Sequence, residues 1–329
     1  MERRALAGRM VHPVGLGCMN LSWAYGDPPP HEQKLRLLGR ALELGYDHFD
    51  TSNIYGLGRN ETLLGEGIMQ ARADFLLASK TGIVVEGAGR GIDCRPEAML
   101  ASLDKSLARL KTDHIDLFYM HRFDPKVPIA DMVGELARAI EAGKIGAYGV
   151  SEWGADHIRA AHAVHPMAAV QTEYSLWTRN PEIAVLETTR ELGIAFVAFS
   201  PVARGALGGE LRDPATLGDK DLRRTMPRFG AEHWPQNLTL IERFDALAAE
   251  AGVAEAQLAL AWLLAQGPHV HVIPGTTSVA HLEENFAALS LELPTDLLAR
   301  AGALINQQTV SGPRYAPAAQ ASVTTEEFA

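Results

Sequence analysis

Eight short apolar runs recur along the chain, and their spacing is the feature that most constrains the fold. Each run is rich in β-branched or aromatic residues, and longer segments with helical periodicity separate most runs from the next. This alternation predicts repeated βα units around a parallel sheet. The predicted strands cover residues 14–18, 46–50, 75–79, 115–120, 146–150, 168–171, 195–199 and 270–273, and the clearest helical stretches cover 32–44, 96–110, 129–142 and 181–192.

Eight such units predict a closed (β/α)8 barrel, the TIM-barrel fold of the α/β class, as a single domain over residues 1–329. Gly45, Gly143 and Gly193 each stand between a helical stretch and the next strand, where a helix C-cap is expected. The opening segment RRALAGRMV predicts a hairpin that turns at Ala7 and Gly8 and closes the other mouth of the barrel.

Two segments fall outside the repeat. Residues 202–236 form a loop too long for an ordinary βα connection, and such loops are usually functional or mobile. A helical stretch at 296–306 is followed by a tail, 307–329, that is rich in Ala, Pro, Ser and Thr. We expect the end of this tail to be poorly ordered.

Composition narrows the class of partner. The chain has 40 acidic and 30 basic residues and a net charge of −10, which argues against nucleic acid or an anionic membrane as a partner. No apolar run approaches the roughly 20 residues of a membrane span, and the N-terminal segment lacks a secretion signal. Cys18 and Cys94 show neither a disulfide pattern nor metal-ligand spacing. We therefore expect a cytoplasmic protein without a metal site, whose oligomeric state the sequence does not predict.

Four side chains suited to acid/base chemistry lie at or just after the ends of predicted strands. Asp50 closes the second strand, and Tyr55 follows it in a glycine-rich loop. Lys80 follows the third strand and His121 follows the fourth. Taken singly, such groups are more often caps, loop hydrogen bonders or solvated charges. Active sites of (β/α)8 barrels lie at the C-terminal ends of the strands, so the four together predict a catalytic site.

These groups suit protonation of a carbonyl oxygen. Tyr55 is the expected proton donor, and Lys80 would ease its ionisation. Asp50 would hold Lys80 in place, while His121 would orient the substrate oxygen. Side chains cannot donate hydride, so a nicotinamide cofactor is implied. Lys80→Met is expected to remove most activity with little effect on folding.

Motifs along nearly the whole chain resemble those of the aldo-keto reductases, specifically a bacterial branch related to the potassium-channel β-subunits and the auxin-induced proteins. The resemblance implies that the four strand-end groups form the family's catalytic tetrad, with Tyr55 as general acid. It also implies reduction of an aldehyde or ketone to the alcohol. The matching segments are GLGCM, FDTSNIYG, SK at 79–80, DLFYMHR, GKIGAYGVSE, AVQTEYSLW, FSPVARGALGG and IPGTTSVAHLEEN.

The resemblance also assigns cofactor contacts by position. Ser151 and Gln171 take the places of the pair that binds the carboxamide, and Phe199 that of the ring stacked on nicotinamide. Residues 200–205 take the place of the pyrophosphate loop. The implied contacts are Gly17, Met19, Asp50, Ser151, Gln171, Phe199, Ser200, Pro201, Val202, Arg204, Gly205, Gly275, Thr276, Thr277, His281, Glu284 and Asn285.

The segment implied to surround the adenosine 2′-phosphate departs from the commonest family pattern. Gly275 and Thr276 stand where many members have Lys and Ser, and His281 stands where many have Arg. A phosphate prefers Arg or Lys partners, and the long loop offers some. The prediction is NADPH (NADP+ when oxidised), with NADH left open. The candidate arginines of the loop are Arg223, Arg224 and Arg228.

The expected partner is a small carbonyl or alcohol compound. Its pocket is predicted to be lined by Trp23, Tyr25, Tyr55, His121 and Trp153. Two other functions stay open at this point. One is an NAD(P)+-dependent sugar or alcohol dehydrogenase that runs the reverse reaction, and the other is a cofactor-sensing protein like the channel β-subunits.

Overall fold

The computed structural model describes residues 2–86 and 89–328. Its strands are β1 (Arg4–Leu6), β2 (Arg9–Val11), β3 (Leu16–Gly17), β4 (His48–Asp50), β5 (Leu76–Thr81), β6 (Ile83–Glu86), β7 (Gly89–Ile92), β8 (Ile115–Met120), β9 (Ile145–Ser151), β10 (Ala169–Glu173), β11 (Ala195–Phe199) and β12 (Val270–Ile273). Its helices are α1 (His31–Leu44), α2 (Arg59–Gly67), α3 (Pro96–Leu110), α4 (Ile129–Glu141), α5 (Ala155–Val164), α6 (Val185–Leu192), α7 (Trp234–Ala251), α8 (Glu255–Leu264), α9 (Val279–Ala287), α10 (Thr295–Leu304) and α11 (Pro317–Gln320).

Eight strands form one parallel sheet in the order β3, β4, β5, β8, β9, β10, β11, β12. A parallel bridge between Val14, just before β3, and Val272 on β12 joins the two edges of the sheet. Gly15 N also donates to Val272 O at 2.9 Å. The predicted (β/α)8 barrel is confirmed, and every predicted apolar run overlaps one barrel strand.

The observed strand ends differ from the predicted ones by up to two residues. Lys80 and Thr81 belong to β5, because Lys80 pairs with Tyr119 and Thr81 with Met120. In the same way, Ser151 extends β9 through its pairing with Gln171. Polar character made the predicted strands end too early, whereas backbone pairing sets where they end in the fold.

The predicted N-terminal hairpin is present and closes the lower mouth of the barrel. β1 and β2 pair antiparallel through a turn in which Ala7 (φ 47°) and Gly8 (φ 77°) are both left-handed, as a two-residue hairpin turn requires. Arg4 Nη1 donates to Gly267 O at 2.9 Å. The inward side chains of the hairpin pack on the barrel interior, which includes Leu76, Ala78, Leu117, Tyr119, Ala169 and Val197.

The helices form the outer layer, and their boundaries follow the predicted periodicity closely. The predicted helix at 96–110 coincides with α3. The prediction at 181–192 began too early: residues Asn180–Glu182 form a 3-10 turn, and Ala184 (φ −152°) interrupts the helix before α6 begins. Gly45 and Gly193 are left-handed C-caps as expected, while Gly143 (φ 72°) lies one residue beyond its C-cap.

Three segments cover the C-terminal face of the barrel. The first is the hairpin of β6 and β7, which the sequence did not predict. The second is the long loop, which contains the short turns Ala203–Gly205, Pro214–Thr216, Leu222–Thr225 and Pro227–Phe229 before α7 begins. The third is the tail.

The tail packs against the barrel over most of its length. Arg314, Val323 and Thr325 are buried, and Thr324 N donates to Glu152 O at 2.9 Å. Ala329 lies outside the described residues, so disorder at the end of the tail stays a prediction.

Among the described residues, no single helix has the length and apolar character needed to cross a membrane. Only α7 and α8 taken together reach those thresholds, and they are bent by 85° relative to each other.

Candidate active site

A cavity of about 990 Å³ opens at the C-terminal ends of the barrel strands. Asp50, Tyr55 and His121 lie on its wall, and Lys80 is fully buried against them. The volume lies at the upper end of the range for small-molecule and cofactor sites. The cavity is therefore large enough for more than a small substrate alone.

The loop that carries Tyr55 is held by buried side-chain hydrogen bonds. Thr51 Oγ1 donates to Asn60 Oδ1 at 2.6 Å. Asn60 Nδ2 donates to Cys18 O at 2.8 Å and to Ser22 Oγ at 2.9 Å. The first turn of α2 thereby ties the Tyr55 loop to the segment after β3, which fixes where the phenol lies.

Lys80 is the centre of the polar cluster. Its Nζ pairs with Asp50 Oδ1 and donates to Thr51 O at 2.8 Å and to Tyr55 Oη at 3.2 Å. Gln171 Nε2 donates to the second oxygen of Asp50 at 2.8 Å. An ammonium has three donors, and all three are used here, so the orientation of Lys80 toward the phenol is fixed.

Burial and neighbouring charges act in opposite directions on these groups. Burial raises the pKa of Asp50, although Lys80 and Gln171 act to lower it. Burial lowers the pKa of Lys80, but Asp50 and Tyr55 outweigh this effect and leave the pKa raised. For Tyr55, burial raises the pKa and Lys80 lowers it, with a raised pKa as the result. Lys80 thus acts with the expected sign, yet burial is the stronger effect, and Tyr55 is protonated at neutral pH.

His121 faces the phenol across the cavity wall. The two rings meet edge to face, with centroids 5.9 Å apart, and His121 Nδ1 lies 3.2 Å from Ser52 Oγ. Burial, followed by the charges of Arg122 and Lys80, holds the pKa of His121 well below its usual value. The imidazole is therefore neutral at physiological pH, and one of its nitrogens is an acceptor.

The three residues predicted to hold the nicotinamide line the same cavity as Tyr55. Gln171 already donates one of its two amide N–H groups to Asp50, so its oxygen and its other N–H remain for a carboxamide. Ser151 Oγ lies 3.4 Å from Arg122 Nη1. Phe199 is half-buried, with one part facing the cavity.

The predicted pyrophosphate loop, residues 200–205, has an unusual backbone. Ser200 (φ 51°), Ala203 (φ 50°), Arg204 (φ 57°) and Gly205 (φ 89°) are all left-handed. For the three non-glycine residues this conformation costs about 1–3 kcal/mol each, and such strain is concentrated at functional sites. Ser200, Pro201, Val202, Arg204 and Gly205 all line the cavity.

The charge of Arg204 is balanced within the protein. Its Nη2 pairs with Glu173 Oε2 at 2.5 Å and donates to Tyr315 Oη at 3.0 Å. Tyr315 Oη in turn donates to Glu173 at 2.6 Å. A contact between Arg204 and a pyrophosphate stays a prediction. The charge of Arg204 is already neutralised by Glu173 before any ligand binds.

Two glycines of the predicted cofactor set lie where β3 approaches the end of β12. A Cβ at Gly17 would lie 2.7 Å from Ile273 O, and a Cβ at Gly275 would lie 2.8 Å from Gly17 O. Barrel closure therefore requires glycine at both positions whether or not a ligand binds. The other predicted contacts here also line the cavity, namely Met19, Thr276, Thr277, His281, Glu284 and Asn285.

The basic residues predicted to bind a 2′-phosphate differ in whether they line the cavity and in which groups they already contact. His281 Nε2 lies 3.3 Å from Glu210 Oε1. Arg223 lines the cavity and pairs with Asp221 at 2.6 Å. Arg228 does not line it: its Nη1 donates to Trp177 O at 2.7 Å, and burial lowers its pKa to about 10. Arg228 therefore has a structural role, and Arg224 also lies outside the cavity wall.

Not all of the aromatic residues predicted for the substrate pocket line the cavity. Trp23 and Tyr25 line the cavity. The prediction for Trp153 is wrong: its side chain is fully buried, packs edge to face on Phe123 at 5.0 Å and does not line the cavity. Trp153 follows β9 immediately, but its side chain points into the layer between barrel and helices.

Several parts of the cavity wall were missed by sequence reasoning. They include Arg90 on β7, Arg122 beside His121, and the tail residues Tyr315, Ala316, Ala318, Ala319, Ser322 and Val323. The position of Arg122 next to His121 was a usable signal. The sequence of the tail gave no such signal, because its small residues show no helical or strand periodicity.

No cluster of three or more His, Cys, Asp or Glu side chains that could hold a metal ion occurs in residues 2–86 and 89–328.

Comparison with known proteins agrees with this architecture. The profile of the Aldo/keto reductase family matches residues 13–306. A protein from Glycine max named Probable aldo-keto reductase 1 is 39% identical over 310 residues, which cover 94% of this chain and 89% of that protein.

Two solved structures have similar folds. The glycerol dehydrogenase from Gluconobacter oxydans superposes with a TM-score of 0.85 at 25% identity, covering 96% of this chain and 98% of that one. The holo form of an aldo-keto reductase from Bacillus halodurans gives a TM-score of 0.76 at 24% identity, with coverage of 96% and 99%. The second likeness supports the fold alone.

Proposed function

The chain belongs to the aldo/keto reductase family, whose members are oxidoreductases acting on carbonyl or alcohol groups with nicotinamide cofactors, and we propose that it reduces an aldehyde or ketone to the alcohol with NADPH. The observation that carries the proposal is the hydrogen bond between Lys80 Nζ and Tyr55 Oη on the wall of the cavity. We further propose a small-molecule substrate and a cytoplasmic location.

Tyr55 acts as the general acid. Its phenol is protonated at neutral pH because burial raises its pKa, so it holds the proton that the carbonyl oxygen needs. When that proton leaves, the phenolate faces the Lys80 ammonium at 3.2 Å, which stabilises the negative charge. Asp50 keeps Lys80 in place through the ion pair.

His121 orients the carbonyl oxygen. If the Ser52 hydroxyl donates to Nδ1, the proton of the neutral ring is on Nε2, and this tautomer can donate a hydrogen bond to the substrate. Because the ring is neutral, it polarises the oxygen without competing with Tyr55 as the acid.

The residues of the cavity fit a nicotinamide dinucleotide. Bound in its reduced form, that cofactor supplies the hydride. Phe199 offers a ring face, and Ser151 and Gln171 offer polar groups for the carboxamide. Four residues of the segment 200–205 have a left-handed backbone, and three of them, Ser200, Arg204 and Gly205, line the cavity.

The test of the chemistry is Tyr55→Phe with a generic neutral aldehyde. We expect turnover to disappear while cofactor binding, followed by quenching of tryptophan fluorescence, persists. Tyr148→Phe is the matched control, because its hydroxyl donates to Ala161 O and His165 O outside the cavity. Equal turnover of Tyr55→Phe and Tyr148→Phe would exclude Tyr55 as the acid, and absence of turnover in the wild type would favour a cofactor sensor.

The preference for NADPH requires a separate test. Of the three candidate arginines, Arg223, Arg224 and Arg228, only Arg223 lines the cavity, and its Nη2 is paired with Asp221. NADPH should bind more tightly than NADH in a fluorescence titration, and Arg223→Met should reduce that difference. Equal or tighter binding of NADH would overturn the assignment.

A second candidate is the reverse reaction, oxidation of an alcohol with NADP+ or NAD+. It is favoured by the similarity to a glycerol dehydrogenase over 96% of the chain. Initial rates in both directions, with glycerol and glyceraldehyde as one pair and a neutral aryl aldehyde and its alcohol as another, separate the two candidates.

A further inference from the structure

Two arginines of the cavity wall have no role in the proposed reaction. Arg90 lies on β7, in the hairpin that follows β5, and Arg122 follows His121 directly. Both line the cavity together with Tyr55 and His121. The charge of Arg122 acts on Tyr55, and the charges of both arginines act on His121. The two guanidinium groups therefore share the cavity with Tyr55, and Arg122 adjoins His121 and Ser151.

These arginines differ from the other cavity arginines in their partners. Arg204 pairs with Glu173, and Arg223 pairs with Asp221. Arg122 instead donates to two neutral oxygens, His121 O at 2.6 Å and Ser151 Oγ at 3.4 Å. Among the described side chains, no carboxylate forms an ion pair with Arg122.

Arg90 is held by an aromatic ring. Its guanidinium lies over the Trp23 ring, 4.1 Å from the ring centroid, a cation–π contact that leaves the N–H donors free to bind another group. No described carboxylate pairs with it, and its side chain is exposed to solvent. The positive charges of Arg90 and Arg122 repel each other, which lowers the pKa of Arg90 in addition to the effect of burial.

Arg90 and Arg122 share the cavity wall, and no described carboxylate pairs with either, so the cavity carries positive charge that an anionic group of a ligand would balance. The chain as a whole is acidic, with a net charge of −10, so a general excess of basic residues does not explain this pair. Guanidinium groups bind carboxylates and phosphates through paired, charge-assisted hydrogen bonds.

We propose that Arg90 and Arg122 form an anion subsite beside Tyr55, and that the preferred substrates are carbonyl compounds bearing a carboxylate or phosphate group. This inference rests on the proposed function, because the carbonyl oxygen must lie at Tyr55 and His121 while the anionic substituent reaches the two arginines. Trp23 holds the Arg90 side chain and covers one side of the subsite.

The experiment compares matched substrates. 4-Carboxybenzaldehyde is paired with its neutral methyl ester, and glyceraldehyde 3-phosphate is paired with glyceraldehyde, so the two pairs also distinguish a carboxylate from a phosphate. The wild type should prefer the anionic member of at least one pair by about tenfold or more in kcat/KM. The preference should weaken as ionic strength rises, because salt screens the attraction.

Substitutions of Arg90 and Arg122 test whether these two residues cause the preference for anionic substrates. Arg122→Met and Arg90→Met should each reduce the preference mainly through a higher KM for the anionic substrate, and the double variant should abolish it. Arg122→Lys should retain part of it. Arg95→Met is the matched control, since Arg95 is exposed, pairs with Asp93 at 2.7 Å and lies outside the cavity wall.

A binding measurement keeps this inference separate from the proposed function. 4-Carboxybenzyl alcohol should bind the wild type, measured by calorimetry, and should bind Arg122→Met at least tenfold more weakly. If neutral aldehydes are reduced without any preference for anionic ones, the subsite is wrong and the proposed function stands. If no aldehyde is reduced but the carboxylate binds through Arg122, the function fails and the subsite stands. If the variants weaken cofactor binding and leave the preference unchanged, the arginines serve the cofactor and the inference is overturned.

Discussion

At the scale of single residues, burial controls the ionisation of the proposed catalytic groups. His121 is neutral because burial and the nearby cations lower its pKa well below the usual value. Tyr55 stays protonated because burial raises its pKa above the usual value of 10.0. The state of both groups is therefore the same across the physiological pH range.

The first prediction concerns the pH dependence of reduction. We expect kcat with a neutral aldehyde to be constant between about pH 6 and pH 9, because the pKa of His121 lies well below the ordinary imidazole value and the pKa of Tyr55 lies above the ordinary phenol value, so neither group changes its charge in that range. Stopped-flow measurement of the chemical step at saturating cofactor checks this. An inflection near pH 6.5 that disappears in His121→Gln would show that His121 titrates at its ordinary value.

The second prediction revises the expectation for Lys80. Sequence reasoning expected Lys80→Met to affect activity with little effect on folding. Lys80 is fully buried and paired with Asp50, so removing it leaves a buried carboxylate without its cation, at a cost of about 3–5 kcal/mol. Lys80→Met should therefore lose stability in urea titrations as well as more than tenfold in turnover.

The double variant Asp50→Asn/Lys80→Met separates these two effects. It should recover most of the stability, since no unpaired charge remains, but none of the turnover. Full stability of the single Lys80→Met variant would show that Asp50 takes up a proton without cost.

At the scale of elements, the tail is joined to the barrel by a buried charge cluster. Arg314 pairs with Glu152, with Nη1 donating to Glu152 Oε2 at 2.9 Å, and lies 3.4 Å from Glu173. Burial raises the pKa of Glu173, but Arg204 and Arg314 outweigh it and lower the pKa to about 2. The tail thus supplies one of the cations that keep Glu173 charged inside the protein, and the same cation pairs with the buried carboxylate of Glu152.

The third prediction follows from this cluster. Arg314→Met should lower the free energy of unfolding by about 3–5 kcal/mol, because it leaves buried carboxylates short of a cation. Arg300→Met, which breaks an exposed pair with Glu250 at 2.6 Å, should cost less than about 1 kcal/mol. Urea denaturation measures both, and equal losses would mean that the cluster contributes no more than a surface pair.

The elements also show where sequence reasoning succeeds and where it stops. Strands and helices of the repeat were predictable because periodicity reports local burial. The tail was not, because its attachment depends on Arg314 meeting Glu152 and Glu173, which lie more than 140 positions away. Trp153 was misplaced for a related reason: its distance from Ser151 in sequence does not reveal on which side of the barrel wall the indole lies.

At the scale of the whole molecule, the fold buries histidines that do not line the cavity. His48 and His271 are completely buried, and neither ring nitrogen of His48 has a hydrogen-bond partner among the described residues. Burial is the main reason why the pKa of each is lowered to about 3. Both are neutral in the folded protein and take up protons when the chain unfolds in mild acid.

The fourth prediction is a loss of stability in acid. A histidine with a lowered pKa stabilises the fold fully above about pH 6.5, and this stabilisation is lost as the pH falls toward 3. Each group should contribute a slope of about 1.4 kcal/mol per pH unit. Urea titrations between pH 7 and pH 5 should show a smaller slope for His48→Gln than for the wild type. His31→Gln, at an exposed position, should leave the slope unchanged, and a wild-type stability independent of pH in this range would contradict the prediction.

The fold class was the most predictable property, because eight repeated units leave few ways to bury their apolar faces. The convergence of Asp50, Tyr55, Lys80 and His121 followed from that class, since strand ends meet at one face. The ion pair of Arg204 and the lack of a described carboxylate partner for Arg122 did not follow, because they depend on which carboxylates three-dimensional packing brings within reach.

The hairpin of β1 and β2 also bears on how the protein is made. Arg4, near the start of the chain, hydrogen-bonds to the carbonyls of Leu264 and Gly267, and Val14 bridges Val272. During synthesis this segment must therefore remain without these partners until residues 264–272 have also been translated. Contacts this distant in sequence form slowly, and apolar surface that is exposed during that time favours premature association.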